Sequence, residues 1–433
     1  MEWYTAAILI LFLIFTLIIT GLPVAIVLQV TSMVMLGMLV GPYKAMYMIS
    51  QEIYHFWSSW TLLAIPLFVI MGELLFVGGC ASDIFDMVGK WLRHVRGGLA
   101  LVSTGACAVF ASMCGSSAGG TSTMAIVCVP EMLKKGYSNR LATGSIAASG
   151  ALAHLIPPSV LMVVYASLLE ISPGRALLAA VVPGVLLALF FAITVIIWTT
   201  FNPTAAPKEP PASWNERIRS LAVAWQPIIL LTVVMGTMIL GIATVTESAA
   251  MGAFVALIIA LTKTRGNVRK VFSAVIDGAR VSCFIMLISV SGKVLALTLA
   301  YYSIPQNVVE IIMGLNLGPI MIMVLIQILY LILGCFIDPI GIMVVTLPIV
   351  APVLLSLGFD PYWFGVMLMI NFEMALITPP MGSQLYIIKG VVPQVPLGDI
   401  LSGALVFFLA DIVMLVILYA FPGIALWLPS LMR

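Results

Sequence analysis

The sequence predicts an all-α polytopic membrane protein built from two inverted-topology repeats, with about ten transmembrane helices and two re-entrant hairpins. Three observations predict it. Of 433 residues, 62% are hydrophobic and only 8% charged, against roughly 25% charged in soluble domains. Several prolines and glycines recur in the same order at a shift of 222 residues. Equivalent loops of the two halves carry opposite basic content.

The mean hydropathy of +1.20 leaves too little polar surface for a water-facing exterior. A span needs about 20 mostly apolar residues. Windows of this kind fall near 5–20, 22–40, 60–78, 141–168, 176–200, 222–241, 245–262, 281–300, 362–388 and 401–428. They are continuous apolar runs without alternation, which favours helices over barrel strands. The stretches 99–133 and 319–357 are too long and too interrupted for single spans. Without a basic n-region, and with residues 5–20 running through Gly21-Leu22-Pro23 into a second span, the N-terminus reads as no cleavable signal. The six cysteines show no metal-ligand spacing and read as small buried hydrophobes. The net charge of +2 points to no nucleic-acid partner.

At the 222-residue shift Pro130 falls on Pro352, Gly136-Tyr137 on Gly358-Phe359, and Pro157-Pro158 on Pro379-Pro380. Ser116-Ser117 falls on Asp338-Pro339, and Gly21 lies within two residues of Gly241. This order predicts a first repeat at 1–200, a cytoplasmic linker at 201–220 and a second repeat at 221–433.

Cytoplasmic loops collect Lys and Arg. Residues 80–97 hold Lys90, Arg93 and Arg96 and 131–140 hold Lys134, Lys135 and Arg140, whereas their counterparts 302–319 and 353–362 hold no base. Conversely 41–59 has only Lys44, but 263–280 has Lys263, Arg265, Arg269, Lys270 and Arg280. With Lys208, Arg217 and Arg219 of the linker, fourteen of the 19 basic residues lie inside. The count closes only if 99–133 and 319–357 enter and leave on one face, as re-entrant hairpins, with both termini outside. Residues 80–97 also read as an amphipathic helix at the cytoplasmic interface, held by the anionic lipid of the bilayer.

Four breaks interrupt these helices: Gly115-Ser116-Ser117-Ala118-Gly119-Gly120, Gly334 to Gly341 around Asp338, Ile156-Pro157-Pro158-Ser159, and Thr378-Pro379-Pro380-Met381-Gly382. Proline removes a donor and frees carbonyls of the preceding turn. Non-helical backbone at membrane depth survives only where protein or a wet cavity satisfies it. Carbonyls beside hydroxyls suit a dehydrated Na⁺, and a half-helix N-terminus suits a carboxylate. Asp338, at the second hairpin tip, reads as a site residue. Glu247 and Glu373 are open between an ion site and helix-to-helix bonds; Glu73 and Asp411 are placed near span ends or subunit surfaces and read as structural. Lys293 requires an acidic partner or an anionic substrate. Gly115, His154, Ser159 and Lys293 are candidate substrate contacts. Neither a His-Glu-x-x-His zinc-protease motif nor a Walker motif is present, so no enzyme is expected and any transport runs on an ion gradient or downhill.

At Gly21-Leu22-Pro23-Val24-Ala25, Ile65-Pro66-Leu67-Phe68, Gly115-Ser116-Ser117, Leu155-Ile156-Pro157-Pro158-Ser159, Phe336-Ile337-Asp338-Pro339 and Leu376 to Gly382, the chain resembles the large membrane (DctM-type) subunit of tripartite ATP-independent periplasmic (TRAP) transporters. The resemblance covers essentially the whole length. It implies an elevator-type, Na⁺-driven importer of carboxylates or related organic anions in the bacterial inner membrane. It further implies a small four-helix membrane partner, expected as a separate chain, and a periplasmic substrate-binding protein. The family's two Na⁺ sites carry over onto Ser116, Ser117 and the Ile156–Pro157 backbone, and onto Asp338, the Thr378, Pro379 and Pro380 backbone and Gly382. His154 and Lys293 depart from the family pattern. A stand-alone ion-coupled organic-anion symporter of the same broad fold, or a channel or scaffold, are the competing expectations.

Overall fold

A computed structural model describes residues 2–431 apart from 93, 96, 208–211, 224, 316 and 381, with the backbone alone at 111, 112, 222, 223 and 227. Arg93, Arg96, Lys208 and Met381, used above, lie outside the described residues. Those residues contain helices and no strand.

The first half runs α1 (Trp3–Ile19), α2 (Val24–Val40), α3 (Pro42–Trp57), α4 (Ala64–Val77), α5 (Cys80–Leu92), α6 (Gly98–Cys114), α7 (Ser117–Lys134), α8 (Asn139–Ala151), α9 (Val160–Leu168) and α10 (Pro173–Phe201). After α11 (Trp214–Val223) come α12 (Trp225–Ile239), α13 (Val245–Lys263), α14 (Val268–Tyr301), α15 (Ile304–Gly314), α16 (Pro319–Gly334), α17 (Pro339–Ser356), α18 (Pro361–Leu376), α19 (Ser383–Val391), α20 (Leu397–Ala420) and α21 (Gly423–Ser430). From α5 to α10 and from α15 to α20 the helices follow one another in the same order, including a break at each Pro-Pro pair.

Polar side chains set many helix starts. Ser138, Ser159, Ser172 and Asn267 each accept a backbone N–H of the first turn, as do Asp338 and Asp360. The exits of α7 and α17 share one geometry: Gly136 and Gly358 take φ of +84° and +81°. There the Tyr137 N–H donates to Met132 O and the Phe359 N–H to Leu354 O, both at 3.0 Å. Glycine tolerates that left-handed turn without a Cβ penalty.

Among the described residues six helical stretches are long and apolar enough to cross a bilayer: Trp60–Val77, Pro173–Phe201, Val245–Lys263, Val268–Tyr301, Pro339–Ser356 and Leu397–Ala420. Shorter apolar helices include Trp3–Ile19, Val24–Val40 and Pro319–Gly334. Large apolar side chains stand outward along them, among them Phe12, Phe15, Leu409 and Val416. In water such a surface would be an aggregation site; against lipid it is the proper solvent.

Three segments differ from the sequence reading. Residues 41–59, read as a loop, contain α3, whose mixed polar and aromatic face gives no apolar run. The basic stretch 263–280 is largely the first turns of α14, so the predicted span at 281–300 is the inner part of a 34-residue helix. The linker contains α11, which packs on α5: Trp214 meets Trp91 edge-on at 6.4 Å, and the Arg217 guanidinium lies 5.0 Å from the Trp214 ring centre. The amphipathic helix predicted at 80–97 is present as α5, burying Cys80, Ala81, Ile84 and Phe85 and held to α13 by Lys263–Asp83 at 2.5 Å.

The tightest backbone-to-backbone approach at a described glycine is between α8 and α20. A Cβ placed on Gly403 would lie 2.1 Å from the Arg140 carbonyl oxygen, and one on Gly144 2.3 Å from the Gly403 carbonyl carbon. Small residues at such crossings replace the hydrophobic drive that lipid removes.

Candidate functional site

The first hairpin turns at Gly115, with φ +60°. Ser116 then caps α7, its Oγ accepting the Gly119 N–H at 3.4 Å. A Cβ on Gly115 would stand 2.9 Å from Val160 Cγ2 and 3.4 Å from the Pro158 carbonyl oxygen. The bare α-carbon therefore lets the hairpin tip sit against the first Pro-Pro break.

That break opens after a short 3-10 turn at Leu152–His154 and closes where α9 begins. The buried Ser159 hydroxyl spans it, donating to His154 O at 2.6 Å and accepting the Met162 N–H at 3.2 Å. Both functions of this hydroxyl are thus engaged by the chain. His154 Nδ1 has no hydrogen-bond partner among the described residues. The peptides Pro157–Pro158 and Pro379–Pro380 are both cis.

At the second break the Thr378 hydroxyl donates to Met374 O at 2.6 Å. The Thr378 carbonyl accepts the Gly382 N–H at 3.1 Å, and the Pro380 carbonyl accepts the Tyr386 hydroxyl at 3.0 Å. Each oxygen keeps a second lone pair. Pro379 and Pro380 are exposed and Gly382 is buried. Asp338 caps α17, its Oδ2 accepting the Ile340 N–H at 3.0 Å. It lines an apolar cavity of about 470 Å³ with Leu11 and Phe15 of α1 and Phe336 and Gly341 of the hairpin. Among the described residues no hydrogen bond joins Asp338 to 378–382.

A contact between the halves was missed from sequence. The Gln384 side-chain amide, on α19 beyond the second break, donates to the Ser117 hydroxyl at the first hairpin tip. Both residues are buried. Ser117 thus meets the broken helix of the opposite half, while Gly115 meets that of its own. Gln384 carried no signal beyond being a polar residue at a half-helix start.

Ser116 lines a cavity of about 210 Å³ with Ser122, Thr123 and Glu73. Glu73, four residues before the end of α4, faces this space. Asp411 is fully buried in mid-helix, away from any surface. Glu247 belongs to a capping box: its Oε2 accepts the Thr244 N–H at 2.8 Å and hydroxyl at 2.9 Å.

Lys293 lies apart from the hairpin tips. Its ammonium pairs with Glu170 Oε1 at 2.6 Å beside a polar cavity of about 240 Å³ that includes Glu52, His55 and Thr61. The hydrogen bond from Lys293, then its charge, hold the exposed Glu170 carboxyl below the usual carboxylate range. The acid Lys293 requires is thus supplied by the chain.

The sequence comparisons agree with this architecture. Residues 11–424 match the family model described as tripartite ATP-independent periplasmic transporter, DctM component. The chain is 31% identical to the C4-dicarboxylate TRAP transporter large permease protein DctM of Vibrio cholerae, over 99% of this chain and 98% of that protein. It is 26% identical to the ectoine TRAP transporter large permease protein TeaC of Halomonas elongata, over 96% and 97% of the two. In fold it is similar to the YdaH transporter of Alcanivorax borkumensis, with a TM-score of 0.61, 14% identity and coverage of 88% and 89%. With its helix order and apolar exterior, this multi-pass membrane chain belongs to the DctM family, the large permease subunits of TRAP transporters.

Proposed function

We propose that this chain moves organic acids, carboxylates or related anions, into the cell down a Na⁺ gradient, receiving them from a periplasmic binding protein. The single observation that supports it best is the first hairpin tip, where Gly115 lies against the Pro158 carbonyl and Ser117 is held by Gln384. Hydroxyls and free carbonyl lone pairs at such a junction are hard oxygen ligands for a small cation. The broken-helix termini offer dipole ends to an anion.

In this reading one Na⁺ is bound by Ser116, Ser117 and the Ile156–Pro157 backbone. A second is bound by Asp338, the Thr378–Pro380 carbonyls and Gly382. The recurrent helix order supports two inverted repeats at 1–200 and 221–433, about ten spans and two re-entrant hairpins, with elevator movement of the hairpins and broken helices. A separate small membrane subunit and the binding protein complete the assembly in the bacterial inner membrane. The relatives' named substrates, C4-dicarboxylates and ectoine, differ in charge, so Gly115, Ser159, His154 and Lys293 are proposed only as contacts that tune the choice.

Reconstitution tests this. Uptake into proteoliposomes should require an inward Na⁺ gradient, the membrane partner and the binding protein, and S117A or D338N should abolish it. Uptake by the chain alone would establish the stand-alone symporter instead. Uptake indifferent to Na⁺ and to both substitutions would establish a channel.

A further inference from the structure

Glu373 in α18 and Asp411 in α20 are both 0% exposed, and their helices pack on each other. The two carboxyls interact electrostatically. None of their four oxygens has a hydrogen-bond partner among the described residues. A buried carboxylate is stable only when paired or hydrogen-bonded, and two like charges side by side in a low dielectric compound the cost.

The neighbouring helices bring no counter-charge. Lys389 of α19 donates to the Pro393 and Val395 carbonyls, and Arg140 at the start of α8 is paired with Asp399. The Tyr165 hydroxyl of α9 donates to Pro361 O, and that of Tyr330 on α16 is bonded to Thr346. His154 in the turn after α8, Arg175 at the start of α10, Cys335 at the end of α16, Asp338 at the cap of α17, Asp360 at the cap and Tyr362 in the first turn of α18, Tyr386 of α19, and Asp399 and Tyr419 of α20 complete the titratable groups of the packed elements. Among all of these, Asp411 is the charged group that acts on Glu373.

A proton removes the conflict with no further ligand, because one protonated carboxyl can donate to the other. We propose that Glu373 and Asp411 share a proton, forming a proton-binding site in the membrane interior six residues before the second Pro-Pro pair. At the 222-residue shift their counterparts are Ala151 and Leu189, so the pair is peculiar to the second half and no part of a common helix-packing pattern. Acidic residues inside spans mark proton sites in many transporters. A proton held here would make the segment that carries the break respond to pH independently of Na⁺.

Infrared spectroscopy of the purified full chain in lipid nanodiscs tests the site. The wild type should show a protonated-carboxyl C=O band at neutral pH, shifted in D₂O, that disappears in one step as pH is raised. The band should be absent from E373Q/D411N and unchanged by added Na⁺ at fixed pH. Absence of the band from the wild type at neutral pH overturns the proposal, as does its persistence in the double variant. Loss of the band on adding Na⁺ would instead make the pair a cation site. Should the double variant not fold, E373Q alone must change the alkaline midpoint of the band; an unchanged midpoint overturns the proposal equally.

Discussion

The Gln384 amide donates to the Ser117 hydroxyl across the two halves, from the helix beyond the second Pro-Pro break to the tip of the first hairpin. The bond orients the Ser117 oxygen, and both side chains are buried. With Ser117 as an ion ligand, Gln384 is its supporting residue. Removing such support typically costs about 10–100-fold in metal affinity. Q384M, which keeps volume and loses the donor, should raise the Na⁺ concentration for half-maximal uptake about tenfold while leaving substrate affinity at saturating Na⁺ unchanged. Na⁺ titration of uptake in proteoliposomes checks it.

The two members of the Lys293–Glu170 pair are unequally solvated: the Lys293 side chain is 11% exposed and that of Glu170 72%. E170Q strands a mostly buried ammonium, whereas K293M leaves a carboxylate that water can solvate. E170Q should therefore destabilise by about 1–3 kcal/mol and K293M by less than half as much, measured as thermal unfolding in detergent at neutral pH.

The same pair sets a pH dependence. Glu170 has a lowered folded-state pKa, so its contribution is complete above the ordinary value of 4.5. It is lost as pH falls through the lower, folded value. The stability difference between wild type and E170Q should be constant from neutrality down to about pH 5 and shrink below it. A difference that grows on acidification would contradict the assignment.

Ser159 holds the first break from both ends. S159A removes the cap of α9 and leaves the His154 carbonyl without its donor. A loss of about 1–2 kcal/mol is expected, and S159T should recover part of it. Unfolding midpoints of the two variants decide.

At the α8–α20 crossing the obstacle to a methyl group is backbone on both sides. G403A should cost about 1–3 kcal/mol by overpacking. G398A, where nothing lies within 4 Å of the added carbon, should be close to neutral. Expression level and melting temperature of the pair provide the comparison.

Much of this was legible in the chain because lipid permits few solutions. Continuous apolar runs and interrupting Pro-Pro pairs located most of the helices and both helix breaks, as the boundaries of α6–α9 and α16–α19 attest. Amphipathic segments gave weaker signals: α3 and α11 carry polar residues throughout and read as loops. Single ionisable residues were the least legible. Glu247 turned out to be a local cap, Lys293 was already paired, and Asp411 lies buried beside Glu373 rather than at a surface.

The sequence by itself determined the membrane class, the order of elements and the breaks at Gly115 to Gly120, Pro157-Pro158 and Pro379-Pro380. These depend on hydropathy and on the local chemistry of proline and glycine, which act over a few residues. The tertiary structure alone decided the partners: Ser117 with Gln384, Gly115 with the Pro158 carbonyl, Lys293 with Glu170, and Glu373 with Asp411. Those pairings join residues from 38 to more than 260 positions apart, and only the packing of helices fixes which polar groups meet inside a medium that offers no water to replace them.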